Sequence, residues 1–257
     1  MTRILVTGLA TLDLIFALEH LPQLGEKYLA IEGLLSGGGN AGNAAVATAR
    51  LGGTVSIFAA IGQDDVGDLI LKGLQKEGID TRFAIQLKGH QSSFSSIVID
   101  KAGERQIINC RNTPSVKNLD NLQNLPIQDG YLADSRWNDA AVATLKIANY
   151  FSKPGVLDAE APVSYEAVSA ASHVAFSRQG LRDFTQHDDL ITGLRSLSNR
   201  LDNWICVTDG SAGVYYLEQG QPHNVQPPQV LAVDTLGAGD VWHGAFVLGL
   251  AEGKNEL

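Results

Sequence analysis

Apolar residues along the chain fall into short runs whose spacing switches between two periods. The run RILVTG at 3–8 is continuous and closed by Gly8, as expected of a buried strand. The stretches DLIFALEHLP and EKYLAIEGLL then alternate imperfectly, the pattern of half-exposed strands, until three glycines at 37–39 break it. NAGNAAVATARL at 40–51 is a small-residue helix, TVSIFAAIG at 54–62 a second buried strand, and a helix follows near 66–77. Two extended arms around Lys101-Ala102-Gly103 make 92–109 a hairpin. Beyond it the pattern predicts a strand near 130–134, a helix at 138–150, a strand near 155–158, a helix at 164–171 and a strand at 173–176. A helix at 188–200, strands at 203–208 and 212–218, and an apolar helix starting near Gly239 complete the chain.

Strands alternating with helices imply one α/β domain with a mostly parallel sheet covered on both faces. The exposed strands at about 13–35 and 92–109 are the exception and predict a small antiparallel β-flap acting as a lid. At 257 residues the chain can bury a sizeable core. A net charge of −9 argues against non-specific binding to nucleic acid or acidic membrane. Cys110 and Cys206 lack zinc or redox spacing, so a reduced, cytoplasmic setting is expected. There is no signal-peptide core and no apolar run of membrane-spanning length. The last helix stops at AEGKNEL, and since open parallel sheets usually carry structure beyond such a helix, a further C-terminal segment is expected.

Two glycine-rich stretches bear on chemistry. Gly37-x-Gly39-x-x-Gly42 matches the dinucleotide fingerprint, with Asp64 and Asp65 about 20 residues on. The fingerprint requires its glycines directly after the first strand, and here two exposed segments intervene. The glycines could equally allow close helix–sheet contact, or lay backbone against a small polar substrate with Asn43 supplying an amide. The second stretch is more specific. Gly237, Ala238 and Gly239 can turn their amides toward one point, where the following helix adds its positive dipole end: an anion hole. Asp240 is then placed to take a proton from an attacking hydroxyl while the hole stabilises a transferring phosphoryl group. Simple capping would not call for two glycines around an alanine.

GGGNAGNAAVATARLG (37–52) resembles the first signature of the PfkB/ribokinase family of carbohydrate kinases, and DTLGAGDVWHGAF (234–246) its second. The resemblance spans nearly the whole chain and implies a ribokinase-like three-layer α/β sandwich with a β-flap, transferring phosphate from ATP to a sugar hydroxyl with Mg²⁺ bridging the phosphates. It makes Asp240 the base and Gly237, Ala238 and Gly239 the anion hole. Asp13, Gly38, Gly39 and Asn43 would hold the sugar, and Thr208 and Gly210 would meet the nucleotide. Many members carry Asn-x-x-Glu where this chain has Ser177-Arg178-Gln179-Gly180, so a carboxylate that organises magnesium through water is absent there. Asp158 and Glu160 are substitutes, or else solvated loop acids. The adenine pocket and any K⁺ site would draw on the expected C-terminal segment.

GEKYLA, GERQIIN and YLADSRW are similar to the sulfofructose kinase branch, in which a lysine, an asparagine and an arginine meet the sulfonate. Lys27, Asn109 and Arg136 stand at those places, with Arg111 nearby. A neutral ketose, as in ketohexokinase-like, fructose or ribose kinases, uses the same frame. His243 is expected to be packed rather than catalytic. The flap edges predict a homodimer through the lid. Two rival classes are a sugar- or nucleotide-binding regulator without turnover, and a dinucleotide-binding oxidoreductase.

Overall fold

The computed structural model describes residues 1–112, 116, 119–232 and 234–256. Its centre is an eight-stranded sheet. β1 (Arg3–Thr7) lies between β4 (Thr54–Phe58) and β9 (Gly130–Asp134), and β10 (Gly155–Ala159), β11 (His173–Ser177) and β12 (Trp204–Thr208) continue outward from β9, all parallel. β13 (Val214–Glu218) and β14 (Gln221–Val225) finish that edge antiparallel. One face is covered by α1 (Asn40–Arg50) and α8 (Ala238–Ala251), the other by α4 (Asn138–Tyr150), α5 (Tyr165–Ala170), α6 (Arg178–Thr185) and α7 (Leu190–Ser198). Every residue of β9 and β10 is buried, which removes the alternation of a one-sided strand. Their polar residues, Asp134 and Asp158, fall at or next to the C-terminal strand ends, where ligands of open α/β sheets bind.

The helices start where local chemistry lets them. Asp64 caps α2 (Asp65–Lys76) by accepting the Gly67 N–H, and Ser164, Ser177 and Asp189 cap α5, α6 and α7 in the same way. The helix α1 packs along α8, and Gly244 of α8 allows the two to lie close beside each other, since a Cβ there would stand 2.5 Å from the Ala44 carbonyl.

The lid is a separate four-stranded sheet in the order β3–β2–β7–β8, built from β2 (Thr11–Ala17), β3 (Glu32–Gly38), β7 (Phe94–Ile99) and β8 (Arg105–Cys110). Two antiparallel pairs, β2–β3 and β7–β8, meet through a parallel contact between β2 and β7. Some expectations are corrected. Residues 26–31 connect β2 to β3 and are not strand, whereas β3 runs on into the glycines. The run 54–62 divides at Ala59: β5 (Ala60–Gly62) leaves the main sheet and pairs with β6 (Ile85–Leu87). The pattern also missed α6, the four-residue α3 (Asp120–Gln123) and β14, whose sequence QPHNV is too polar to read as a strand. Among the described residues no helix is long and apolar enough to cross a membrane.

Candidate active site

The C-terminal ends of the central strands and the N-terminus of α8 converge on Asp240. Asn43, one turn into α1, donates its amide to Asp240 Oδ2 at 2.8 Å. Asn40 approaches from the same helix, its Nδ2 lying 3.2 Å from Asp240 Oδ1, Asp158 Oδ2 and Glu160 Oε2 alike. An amide nitrogen has two hydrogens, so three carboxylates compete for them. Burial pushes the Asp240 carboxyl up to about 6; the Asn43 hydrogen bond pulls it down and the charge of Asp158 raises it again. It is therefore largely ionised at neutral pH yet close to its proton affinity, as a general base should be. Behind it His243 is buried, 3.7 Å from Asp158 Oδ1, with both ring nitrogens lacking a hydrogen-bond partner.

The turn before α8 has Gly237 as a left-handed cap, φ 72° and ψ 7°. The first N–H groups of a helix have no intrahelical acceptor, and those of Gly239 and Asp240 lie in this turn with the positive end of the helix dipole. The Ala238 N–H is directed to the Thr235 carbonyl at 3.3 Å, so the turn is partly closed on itself.

Across the cleft, register places Ser36, Asp13, Ser95 and Asn109 side by side in one row of the lid. Ser95 donates to Asn109 Oδ1 at 2.9 Å and Thr11 to Asp13 Oδ1 at 3.3 Å. Burial raises the Asp13 carboxyl, with hydrogen bonds from Ser95 and Thr11 acting against the rise. The glycines serve close approach. A Cβ on Gly38 would stand 2.1 Å from Asp13 Oδ2, and one on Gly39, at φ +83°, 2.5 Å from the Leu9 carbonyl. A cavity of about 650 Å³ opens beside this row, lined by Thr11, Gly38, Asn43 and Gly237 together with Arg50 and Glu77. Asp13 and Asp240 themselves are not part of its lining.

The expected cations are distributed unevenly. Arg136, just past β9, is mostly buried; its guanidinium pairs with Glu160 and donates to the Ala161 carbonyl at 2.7 Å, leaving Nε without a partner. Burial lowers its proton affinity, and the neighbouring positive charge of Arg111 lowers it further. Asn109 joins the Asp13 row, but Lys27 is exposed on the β2–β3 connection and has no ion-pair partner among the described residues. Thr208 ends β12 opposite Ser177, and Gly210 opens the 3₁₀ turn Gly210–Ala212 just beyond. Ser177 caps α6 and Arg178 pairs with Asp209 at 2.6 Å, so the place of the absent Asn-x-x-Glu carboxylate is taken up structurally. Sequence reasoning missed Asn40 and Asp134. Both stood within quoted stretches, Asn40 in GGGNAGN and Asp134 in YLADSRW at the end of the strand predicted near 130–134, but nothing local gave the partners of the aspartate.

Comparison with known proteins agrees with this arrangement. The profile of the pfkB family carbohydrate kinases matches residues 1–255. The ribokinase of Bacillus subtilis (strain 168) is 26% identical over 99% of this chain and 88% of its own length. A fructokinase of Vibrio alginolyticus is 27% identical, covering 96% of this chain and 83% of the relative. Among solved structures, a protein of Agrobacterium tumefaciens provisionally identified as a ribokinase superimposes with a TM-score of 0.90 at 32% identity, over 99% of this chain and 86% of that one. With strand-end acids, lid and glycine turn all in place, the chain belongs to the pfkB family of carbohydrate kinases, enzymes that transfer a phosphoryl group to a sugar hydroxyl.

Proposed function

We propose that this kinase uses ATP to phosphorylate a hydroxymethyl group of a ketose whose far end is anionic, a sulfonate or a phosphate. The observation that carries the kinase chemistry is the placement of Asp240: a half-buried carboxylate in the first turn of α8, oriented by Asn43, which lines one cavity together with Gly237 and with Thr11 and Ser36 of the lid. In this reading Asp13, Gly38, Gly39 and Asn43 hold the sugar, and an Asp240 oxygen takes the hydroxyl proton. The freed oxygen attacks the γ-phosphorus, the bond to the β–γ bridging oxygen breaks, and ADP leaves with that electron pair. The N–H groups of the 237–239 turn receive the charge on the transferring group. In the same reading Thr208 and Gly210, at and just beyond the end of β12, meet the nucleotide phosphates.

Magnesium fits the donor set in a limited way. Among the described residues no three His, Cys, Asp or Glu side chains converge as a protein-only metal site. Asp158 and Glu160, crowded on one amide beside Asp240, suit an ion bound mostly by water and phosphate oxygens. Bound there with the nucleotide, the ion would neutralise phosphate charge.

The anionic end is supported by Arg111 and Arg136, two neighbouring guanidiniums with one buried N–H unpartnered, near Asn109. A neutral ketose is favoured by one observation, the pairing of Arg136 with Glu160, which already balances that charge. A homodimer through the lid is supported by Leu35 and Ile108, exposed at 57% and 65% at the two ends of a row on the face opposite Asp13. Sedimentation of the purified protein tests that assembly.

The test of function is ATP turnover against fructose, ribose, fructose 6-phosphate, tagatose 6-phosphate and 6-deoxy-6-sulfofructose. Turnover confined to the anionic sugars supports the full reading. Preference for a neutral sugar discards the anion site, and binding without turnover points to a regulator.

A further inference from the structure

We infer that Asp134 is a positioning residue, whose carboxylate fixes the sugar-binding strand, the helix that orients the base and the Arg136 loop relative to one another. The inference rests on Asp13 and Asp240 acting as proposed above. Asp134 ends β9 in the middle of the sheet and is 3% exposed. Its Oδ2 accepts the Leu9 N–H at 2.7 Å and the Ala41 N–H at 3.1 Å; its Oδ1 accepts the Arg136 N–H at 2.9 Å. Leu9 is two residues before β2, the strand that carries Asp13. Ala41 is in the first turn of α1, between the two asparagines that reach Asp240. One buried carboxylate thus joins the roots of both walls of the cleft.

The surroundings are shaped around that group. Gly8 has φ +144°, and a Cβ there would fall 2.2 Å from Asp134 Cγ. The Leu9 carbonyl accepts the Gly42 N–H at 3.2 Å, closing a second link between the same two segments. Burial pushes the Asp134 carboxyl up to about 6 against the N–H bonds it accepts, so holding it ionised at neutral pH is costly. A cost of that kind persists where the acceptor capacity is used. A carboxylate offers two acceptor oxygens and a carboxamide one, with an NH₂ facing the remaining donors. Asp134→Asn therefore keeps shape and loses the three-way tie.

The experiment measures kcat and KM of Asp134→Asn per folded molecule, on whichever sugar the wild-type enzyme turns over, beside Asp13→Asn and Asp240→Asn. Small misplacements of reacting groups cost up to about 10²-fold, so a 10- to 100-fold loss in kcat/KM is expected, divided between a raised sugar KM and a lowered kcat. The Asp13 variant should move mainly KM, and the Asp240 variant mainly kcat. A folded Asp134→Asn enzyme with both constants unchanged, or with fewer active molecules and an unchanged KM, overturns the inference. If Asp134→Asn does not fold, Gly8→Ala pushes on the same carboxylate from the other side and is expected to show the same split. Failure of both to fold assigns Asp134 to folding alone and also overturns it. Absence of wild-type turnover on every sugar counts against the proposed function instead.

Discussion

At the strand ends Asp134 and Asp158 are buried, Asp240 is half-buried, and all three are held by amides or backbone N–H groups from distant segments, whereas the outer lid strands β3 and β8 are largely exposed and tied mainly by strand register. Asp134, Asp158 and Asp240 sit among fully covered strands and the α1–α8 pair. Across the cleft Leu34, Leu35, Ile107 and Ile108 are each at least 45% exposed. The difference teaches where precision is needed. In the proposed mechanism proton transfer to Asp240 requires fixed geometry, which burial supplies at the cost of raised carboxyl proton affinities. Capture of a sugar requires a wall that can move aside, and a sheet with few tertiary ties provides it.

The largest effect should come from the rigid wall. Asp240→Asn keeps the volume and removes the base, and general-base catalysis is worth about 10²–10⁴-fold, so kcat should fall by that much with sugar KM little changed. Initial rates at saturating ATP check this. A loss confined to KM would move Asp240 from catalysis to binding and break the contrast between the walls.

Next in size is the pH dependence. The base acts ionised, so kcat/KM should fall about tenfold per pH unit below about pH 6. The stability effect has the opposite sense to that of a salt-bridged acid. Because folding raises the Asp240 carboxyl from 3.8 to about 6, the native state holds the extra proton between those values. The contribution is present below about pH 4 and is lost as pH rises through about 6. Urea midpoints of wild type and Asp240→Asn should therefore diverge in favour of the variant between pH 4 and 7. An unchanged difference would place the carboxylate in a wetter setting than the fold implies.

On the mobile wall, Asp13→Asn should raise sugar KM by about tenfold or more, since a site built to hydrogen-bond hydroxyls loses heavily when one partner is changed. Its kcat at saturating sugar should change less. Equal losses in kcat and KM would mean that the lid also positions the reacting hydroxyl, bringing the two walls closer in role.

How much of this was legible depends on the range of the interactions. The central strands, α1 and α8 could be read because burial on both faces leaves a local trace, an unbroken apolar run or a small-residue helix. The turn before α8 could be read because a left-handed cap calls for a glycine, and Gly237 stands there at φ 72°. Asp134 could not, for its partners Leu9 and Ala41 lie 125 and 93 residues away and no local period reflects them. Lys27 was legible as a residue type but not as a place, because residues 26–31 form no strand and its position is set by the connection. β14 was hidden by polarity: at a sheet edge Pro222 and His223 are tolerated where a central strand would exclude them.

The smallest expected effect concerns the contact between the walls. Arg105, at the start of β8, lies two rows of side chains further along the lid than Asp13 on the same face, opposite Ile99. Its Nη2 donates to Asp234 Oδ1 at 2.9 Å, and the same oxygen accepts the Leu236 N–H at 2.9 Å just before the glycine turn. The pair thus links the lid to the segment leading into the Gly237 turn. Its side chains are 26% and 64% exposed, and pairs of that kind contribute about 0–1 kcal/mol, at most roughly fivefold in a closing equilibrium. Arg105→Gln should therefore raise sugar KM by about two- to fivefold with kcat unchanged, and the gap from wild type should shrink as salt is added. Measuring KM at low and high ionic strength separates this from a packing effect, which salt would not erase. A larger, salt-insensitive loss would mean that the lid is docked as firmly as the strand ends, and the division into a fixed and a moving wall would fail.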